Sequence, residues 1–493
     1  MLYAVLSYVT LDEEGDAVVS QQKAHFIGIG GAGMSGLAQV MLERGAAVSG
    51  SDLAESSATA RLEAMGASIY IGHDAAHVAR EAPGVVVVSS AVPADNPELR
   101  YAREHGIPVV TRAQMLARLM ENHHGIAVTG THGKTTVTSM IALALEQGGL
   151  DPTIVIGGEL NDFGSNAKVG AGPHFVAEAD ESDRSFLHLH PSLAVVTNVE
   201  ADHLENYTDL NDIMAAFRTF LSKLPADGLA IVCGDDEKAV QVAPDHCQVV
   251  TYGLSSGHDY VATDVELLPM GSRAVVKERS AVQGVLALQV PGMHNIANAL
   301  AAIAVGRAVG LPFGVIAEAL GSFRGAKRRM EVLGEERDIL VIDDYAHHPT
   351  EIRATLTALR NVGRRIIAVF QPHRYTRTKH LLDELAASFE HADHVVLTDI
   401  YSALEPPIPG VTVDVLAARL RDTAGDKVAV VRDVAAVPGY LLAVARPGDL
   451  VVTMGAGDVR RASEGFLSVM ASAPTLVAHL TPPSRADSAP GQD

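Results

Sequence analysis

A glycine-rich segment at residues 128–136 carries the side chains best suited to phosphate chemistry. It reads VTGTHGKTT and joins a β-branched run to a helical pattern. In such a loop backbone amides bind phosphate oxygens, the Lys134 amine reaches the β and γ oxygens, and the Thr135 hydroxyl is a Mg²⁺ ligand. Gly130 precedes Gly133 more closely than in the general P-loop pattern. The segment therefore predicts a compact P-loop for a nucleoside triphosphate.

A second glycine loop, GIGGAGMSG at residues 28–36, also joins a strand pattern to a helical one. Glycines there permit a tight turn and let backbone N–H groups approach a diphosphate at the helix N-terminus. Asp52 ends the next predicted strand, where a dinucleotide fold holds a ribose hydroxyl. The loop predicts a bound nucleotide diphosphate. The alternatives are a nicotinamide-dependent dehydrogenase, and glycines that serve only close helix–strand packing.

Two phosphate loops in one chain narrow the class of protein. A dehydrogenase needs one nucleotide, and a motor ATPase needs a P-loop with its metal carboxylate but not the first loop. An enzyme that activates a nucleotide-linked substrate with ATP needs both loops.

Carboxylates and a histidine follow further predicted strands. Glu178 ends a strand near the P-loop, where a Mg²⁺ ligand is expected. Asp180, Glu181 and Asp183 are chemically as able as Glu178 to fill this role. His203 also follows a strand, and it is either a metal ligand or a solvated loop histidine.

Two amides and a basic cluster lie further along the chain. Asn295 and Asn298 are one helical turn apart on one face, so they cap the helix or read an adenine edge. Residues 327–329 are Lys-Arg-Arg, either a solvated turn or a phosphate-neutralising group.

Two loops in the last third follow strands of a third predicted sheet. They read DDYAHHP at 343–349 and QPHRYTRT at 371–378, at strand ends where open α/β sheets bind ligands. The adjacent histidines His347 and His348 do not easily share one tetrahedral ion, and no third ligand is evident, so we expect no zinc site.

The elements that must position these residues alternate strand and helix, which is typical of parallel α/β architecture. Strands are predicted at 25–30, 47–50, 85–90 and 108–111, then at 126–129, 174–177, 193–198 and 229–233, and finally at 339–342, 365–370, 394–397, 428–431 and 449–453. Helices are predicted at 33–44, 133–147 and 295–309. Residues 259–290 alternate without helices, which predicts an antiparallel flap or small subsheet. The chain therefore predicts three sheets, with boundaries near 121–125 and 325–331.

Length and composition agree with this count and exclude several classes. A chain of 493 residues is long enough for about three domains. A net charge of −21 argues against nucleic-acid and membrane-surface partners, which need a broad basic face. The 2 cysteines cannot form a disulfide framework and indicate a reducing, cytoplasmic compartment. Residues 1–23 are either a flexible extension or an unused upstream start, and 471–493 predict a disordered tail.

In order, the motifs GIGGAGMSG, TGTHGKTT, EADESD, NVEADH, HNIANALAA, KRRME, DDYAHHPTEI and QPHRYTRT closely resemble the Mur ligase family. The resemblance runs from about His25 to about Gly457. It implies an α/β enzyme of three domains: a Rossmann-like UDP-binding domain at 24–121, a central P-loop ATPase domain at 122–327, and a C-terminal Rossmann-like domain at 328–470 for the amino acid and ATP.

The same resemblance implies the reaction and its partners. ATP would phosphorylate the carboxylate of UDP-N-acetylmuramate, and L-alanine would displace the phosphate to form an amide in peptidoglycan precursor synthesis. Two Mg²⁺ ions are expected. A family member that adds a whole peptide to this nucleotide sugar is the alternative, and the GIGGAGMSG and QPHRYTRT loops favour the alanine-adding branch. Oligomeric state, monomer or homodimer, stays open.

Site roles follow from the resemblance residue by residue. Metal ligands would be Thr135, Glu178 and His203. Residues that bind ATP would be Gly130, Thr131, His132, Gly133, Lys134, Thr135, Thr136, Asn295, Asn298, Arg329 and Asp344. Residues that contact the UDP-sugar would be Gly31, Gly33, Met34, Ser35, Asp52, His73 and Ser90. Substrate-end residues would be His348, Arg374 and Arg377, and catalytic residues would be Lys134, His203, Arg329, Asp344 and His348.

Two points concern the chemistry of the expected site. Other Mur ligases carry a carbamylated lysine shortly after the metal histidine, but residues 216–218 read Ala-Phe-Arg, so we expect no modified lysine. The attacking amine must be neutral, and the base that makes it so is His348, water or a substrate oxygen.

Overall fold

The computed structural model describes residues 22–89, 91–157 and 165–472. The expectations for residues 1–21 and 473–493, and for Ser90, fall outside these ranges. In the part of the chain that is described, no helix combines the length and the apolar character needed to cross a bilayer.

The first sheet holds the first glycine loop. Its five strands are parallel, in the order β3-β2-β1-β4-β5. The strands are β1 Ala24–Ile27, β2 Val48–Asp52, β3 Ser68–Ile71, β4 Val85–Val88 and β5 Val109–Thr111. The helices are α1 Ala32–Glu43, α2 Ser57–Ala64, α3 Ala75–Glu81, α4 Pro97–Glu104 and α5 Arg112–Met120.

The central sheet has ten strands in the order β15-β14-β13-β12-β11-β10-β6-β9-β7-β8. The strands are β6 His124–Thr129, β7 Thr153–Val155, β8 Ala167–Lys168, β9 His174–Glu178, β10 Leu193–Val196, β11 Leu229–Cys233, β12 Gln248–Gly253, β13 Tyr260–Leu268, β14 Gly271–Glu278 and β15 Ala281–Leu288. The helices are α6 Lys134–Gln147, α7 Leu210–Leu221, α8 Glu237–Val242, α9 Met293–Ala308 and α10 Phe313–Ser322, with a 3₁₀ turn at Ser185–His188.

The antiparallel segment differs in part from its prediction. Strands β13 to β15 are antiparallel, as expected. They do not form a separate flap or subsheet, because β13 pairs in parallel with β12 through Tyr252–Tyr260 and Gly253–Val261. The pairing covers the end of the β12 edge and joins the antiparallel strands to the central sheet.

The third sheet has six strands in the order β16-β17-β21-β18-β19-β20, all parallel except the β16–β17 pair. The strands are β16 Glu331–Glu336, β17 Ile339–Asp344, β18 Arg365–Phe370, β19 His394–Leu397, β20 Val428–Val430 and β21 Asp449–Met454. The helices are α11 Pro349–Arg360, α12 Tyr375–His380, α13 Leu382–Ala386, α14 Val413–Ala424, α15 Val437–Val444 and α16 Arg460–Ser472, with 3₁₀ turns at Gly425–Lys427 and Val434–Ala436.

The cores explain how the sheets hold the loops. Phe26 of the first sheet belongs to the same buried cluster as Phe175 and Phe217 of the central domain. The third sheet has separate clusters on its two faces, one around Phe370 and one around Phe466. The predicted fold class, α/β with three sheets in three successive parts of the chain, is confirmed.

Candidate active site

The second glycine loop leaves β6 and enters α6 with its helix N-terminus open. Gly133 is the N-cap residue at φ 83°, and no side chain caps the helix there. Gly130 has φ 131°, and a Cβ on it would lie 2.0 Å from Thr197 Oγ1. Both glycines are therefore required by the backbone, and the first amides of α6 face the space where a phosphate would bind.

Lys134 is held over this loop. Its Nζ donates to Gly130 O at 2.7 Å and to Thr131 O at 3.2 Å, and it pairs with the buried Glu181 at 2.8 Å. Burial lowers the pKa of Lys134, but the charges of Glu181 and Asp180 outweigh it and raise that pKa. Burial raises the pKa of Glu181 to about 7, against the opposing charge of Lys134. Lys134 is thus a fixed cation aimed along the loop.

The predicted metal ligands of the P-loop side are in contact. Thr135 Oγ1 donates to Glu178 Oε1 at 3.0 Å, and Gly157 N donates to Glu178 Oε2 at 2.8 Å. A hydroxyl and a carboxylate oxygen at a strand end are the donors that Mg²⁺ prefers. His203 lines the same cavity as Glu178. The donor set therefore fits a magnesium site.

A cavity of about 180 Å³ lies between the central and third sheets. It brings together predicted ATP residues that are distant in sequence, namely Gly133, Thr136, Asn295, Asn298, Arg329 and Asp344, and also His132. Phe323 and Val290 add apolar walls. Asn295 Nδ2 donates to Pro291 O at 2.8 Å, and Asn298 Nδ2 donates to Asn295 Oδ1 at 3.2 Å. Both amides thus have local partners in this structure while facing the cavity.

Arg329 and Asp344 close the third-domain side of this cavity. Asp344 accepts from Met330 N at 2.8 Å and from Ala346 N at 2.7 Å. Burial raises the pKa of Asp344 to about 6, against the opposing charge of Arg329. Arg329 lies 3.5 Å from Glu351. Asp344 therefore fixes the two loops that present Arg329 to the cavity.

His132 of the P-loop joins a network with the third domain. It lies 3.4 Å from Glu200 and 3.3 Å from Glu351. Burial lowers its pKa, but hydrogen bonds to these carboxylates outweigh burial and raise the pKa to about 9. Thr350 Oγ1 donates to Glu200 at 2.8 Å. An imidazolium thus bridges carboxylates of two domains.

The side chain of His348 belongs to this network and points away from that of its chain neighbour His347. Its Nδ1 accepts from Thr350 N at 3.3 Å, and burial lowers its pKa to about 4. Potential ligand atoms of His132, Glu200 and His348 lie within 4.8 Å of one another, a grouping that the sequence did not reveal. Because His132 is an ion-pair partner there, this grouping is a hydrogen-bonded network in the structure, and the expectation of no zinc site stays a prediction.

A second cavity, of about 610 Å³, is lined by residues of all three domains. The first domain contributes Gly33 and Arg112, the central domain Glu178 and His203, and the third domain Arg374. Arg374 Nη1 donates to Glu205 Oε1 at 2.8 Å. Arg377 is not among the residues lining this cavity, because it is buried in an ion pair with Asp202.

The first glycine loop leaves β1 and enters α1, with Gly31 as N-cap and no side-chain cap. Asp52 Oδ2 accepts from Gly30 N at 2.8 Å, so this carboxylate stabilises the conformation of the loop. Met34 and Ser35 are 2% and 1% exposed. Both residues are buried in this structure, so neither side chain faces the space at this helix N-terminus.

His73 lies beside the same sheet. Its Nδ1 is 2.9 Å from Ser51 Oγ and 2.9 Å from the buried Glu98. Ser90 lies outside the described residues.

Several residues that build the site were missed in the sequence. Glu200 and Asp202 lie inside the NVEADH motif, so their spacing around His203 was a usable signal. Glu351 lies in the DDYAHHPTEI motif. Arg112 gave no signal, because its approach to Gly33 depends on how α5 packs across the first domain.

A P-loop with its lysine and metal carboxylate, a second nucleotide-type glycine loop and a cavity shared by three domains define an ATP-dependent enzyme of the ligase class. Residues 23–124 match the Mur ligase family catalytic domain, 128–306 the Mur ligase middle domain, and 328–457 the Mur ligase glutamate ligase domain. The chain belongs to the Mur ligase family.

Known proteins of similar sequence match this chain over nearly its whole length. The UDP-N-acetylmuramate–L-alanine ligase of Geotalea uraniireducens is 49% identical over 445 residues, 90% of this chain and 97% of the relative. That of Pelotomaculum thermopropionicum is 50% identical, over 89% of this chain and 95% of the relative.

Solved structures agree with this placement. The crystal structure of the UDP-N-acetylmuramate–alanine ligase of Thermotoga maritima has a TM-score of 0.78 at 31% identity, covering 92% of this chain and 100% of that one. A murein peptide ligase of Psychrobacter arcticus has a TM-score of 0.68 at 26% identity, covering 92% and 99%.

Proposed function

We propose that this enzyme joins L-alanine to the carboxylate of UDP-N-acetylmuramate, with ATP cleaved to ADP and phosphate, in the cytoplasmic synthesis of peptidoglycan precursors. The observation that carries the proposal is the 610 Å³ cavity. All three domains line this cavity. A nucleotide sugar on the first domain and an amino acid on the third domain would therefore share one space beside the P-loop side of the central domain.

ATP would occupy the smaller cavity. Its phosphates would lie on the amides from Gly130 to Thr136, with the adenine between Asn295, Asn298 and the apolar wall of Phe323. Arg329 would approach the phosphates from the third domain, with Asp344 holding its loop. The reaction would then run beside Glu178, which lines the larger cavity and contacts Thr135 of the P-loop.

Thr135 and Glu178 would hold one Mg²⁺, and His203 would hold a second. When bound, such ions neutralise charge on the transferring phosphoryl group and on the acyl oxygen. The contact of Thr135 with Glu178, and the shared cavity of Glu178 and His203, support this assignment.

The chemistry follows from the charges that the site must accommodate. A muramoyl carboxylate oxygen attacks the γ-phosphorus of ATP, the bond to ADP breaks, and an acyl phosphate forms. The amine of L-alanine then attacks the acyl carbon, and inorganic phosphate leaves. Lys134 and Arg329 stabilise negative charge that develops in both steps.

The attacking amine must lose a proton. His348 has a pKa of about 4, which makes it a weak acceptor for an ammonium proton. This favours a substrate oxygen over His348 as the base, because a phosphate oxygen is a stronger proton acceptor than this imidazole, whereas water is a weaker one. His348 caps α11 by accepting from Thr350 N, and the Thr350 hydroxyl connects α11 with Glu200.

ADP release by the purified protein tests the proposal. With Mg²⁺ and UDP-N-acetylmuramate present, L-alanine should give fast release, and glycine and L-serine slower release. Release that requires a tripeptide and ignores L-alanine would assign the enzyme to the murein-peptide branch. Reduction of NAD with a small hydroxy acid would replace the proposal by a dehydrogenase.

A further inference from the structure

The loop that follows β10 carries a carboxylate on each side of His203, and each one pairs with the third domain. Asp202 pairs with Arg377, and Glu205 pairs with Arg374. Three residues upstream, Glu200 accepts from Thr350. The loop that carries the predicted metal histidine is therefore also the surface on which the third domain docks.

The Asp202–Arg377 pair is the most buried of these contacts. The two residues are 9% and 8% exposed. Arg377 Nη2 donates to Asp202 Oδ1 at 3.0 Å and Oδ2 at 3.2 Å, and Arg377 Nε donates to Oδ1 at 3.2 Å. A planar guanidinium in such a fork fixes the orientation of the carboxylate, not only its position.

The same carboxylate fixes His203. Asp202 Oδ1 accepts from His203 N at 2.8 Å. The backbone of His203 has φ 55°, a left-handed conformation that a residue with a side chain adopts only when its surroundings enforce it. The ring nitrogens of His203 face Asp202 at 3.6 Å and Glu205 at 3.5 Å. The direction of the imidazole thus depends on two carboxylates that arginines of the third domain hold.

From this geometry we propose that Asp202 and Arg377 are positioning residues that complete the His203 ion site only when the third domain docks. The inference rests on the proposed function, because that function assigns the second ion to His203. The first ion site, Thr135 with Glu178, lies wholly within the central domain and does not depend on the pair.

The pairing also changes the role expected for Arg377. A substrate-end arginine would present its guanidinium to the ligand, whereas this guanidinium is occupied by Asp202. Arg377 acts here through another residue. Removing its fork is therefore expected to change ion binding at His203, and not only the affinity for substrate.

The test is a titration of the full-length protein with Mn²⁺, followed by electron paramagnetic resonance, with UDP-N-acetylmuramate and a non-hydrolysable ATP analogue bound. The wild type should bind two ions. R377K and D202N should keep the first ion at wild-type affinity and weaken the second by about 10- to 100-fold, the usual effect of removing a residue that orients a metal ligand.

R360K is the matched control. Arg360 makes a forked pair with Asp393 at 3.0 and 3.3 Å inside the third domain, away from His203. It should bind both ions as the wild type does. Thermal unfolding of all three variants measures any general loss of stability, and the Lys and Asn replacements are chosen to keep size and polarity.

The outcomes separate this inference from the proposed function. A wild type that binds only one ion refutes the second-ion assignment, and the inference fails with it. A wild type with two ions and variants that keep both affinities overturns the inference alone. Equal weakening of both ions in R377K and D202N would indicate a structural role and would also overturn it.

Discussion

The two glycine loops occupy equivalent places in their sheets but differ in backbone conformation and in surroundings. Each joins a parallel strand to a helix whose N-cap is a glycine without a side-chain cap. The N-cap glycines differ in conformation, because Gly31 is extended at φ −63° and ψ 144°, whereas Gly133 is left-handed at φ 83° and ψ −5°. The first loop, residues 28–36, contains no charged residue, whereas the second contains Lys134.

The neighbours of each loop extend this difference. Asp52 accepts a backbone N–H of the first loop and so holds its shape. Beside the second loop, Glu181 pairs with Lys134, and Glu178 contacts Thr135. A helix N-terminus alone is sufficient to bind a phosphate, but phosphoryl transfer also needs a fixed cation and a metal carboxylate. The first loop should therefore affect binding, and the second should affect chemistry.

The largest effect is expected for Lys134→Ala. It removes the cation that stabilises charge mainly in the transition state, so kcat should fall by roughly three orders of magnitude or more. ADP release at saturating substrates measures this. Lys168→Ala is the control, because Lys168 pairs with Glu146 and Asp151 outside both cavities. Near-normal turnover in the Lys134 variant would make the second loop structural.

Glu178→Gln should have the next largest effect. It replaces a carboxylate oxygen beside Thr135 by an amide, so the apparent Mg²⁺ affinity should fall by about 10- to 100-fold. The rate as a function of Mg²⁺ concentration is the measurement, and excess Mg²⁺ should recover part of the rate. An unchanged Mg²⁺ dependence would move the ligand role to Asp180 or Asp183.

Asp52→Ala tests the other side of the comparison. Losing the acceptor of Gly30 N loosens the first loop, and a hydrogen bond to a charged group is worth about 1.5–3 kcal/mol. KM for UDP-N-acetylmuramate should therefore rise by roughly tenfold or more, with kcat and KM for ATP little changed. Asp52→Asn keeps an acceptor oxygen and should lie between. A fall in kcat alone would contradict the division between the loops.

The parts of this site that the sequence predicted are local. Each glycine loop consists of one strand end and one helix start, so its own residue types indicate its chemistry. Glu178 is 43 residues from Thr135, and its place at a strand end was the sign that it lies near the P-loop. The convergence of Asn295 and Arg329 on one cavity could be expected only from the resemblance to a family, since no spacing rule joins such distant segments.

What could not be predicted depends on packing between domains. Nothing in the local sequence of Arg377 says that its partner is Asp202, because that contact exists only when the third sheet meets the central one. Met34 and Ser35 lie within the GIGGAGMSG motif, yet α1 turns them inward. The strands β3, β7, β8, β12 and β16 were missed. β7 and β8 have only 3 and 2 residues, and β16 is rich in glutamate. Pairing with neighbours, more than intrinsic preference, holds such strands in the sheet.

The smallest expected effect concerns how the free energy of unfolding depends on pH through His294, a neighbour of the second loop. Burial lowers the pKa of His294, which lines the ATP cavity, to about 4, and the charge of Arg329 adds to this. Because its pKa in the unfolded chain is higher, the unfolded state takes up the proton first as the pH falls. The stability that neutral His294 contributes is therefore present above pH 6.5 and is lost between pH 6.5 and 4. His294→Gln should reduce the loss of unfolding free energy between pH 7 and 5 by about 2 kcal/mol. Denaturant unfolding at the two pH values measures it, with His391→Gln, at an exposed histidine, as the control.

An identical pH dependence in both variants would mean that His294 takes up its proton at the same pH in the folded and unfolded protein. In that case His294, in the ATP cavity, would not make the folded protein less stable at low pH.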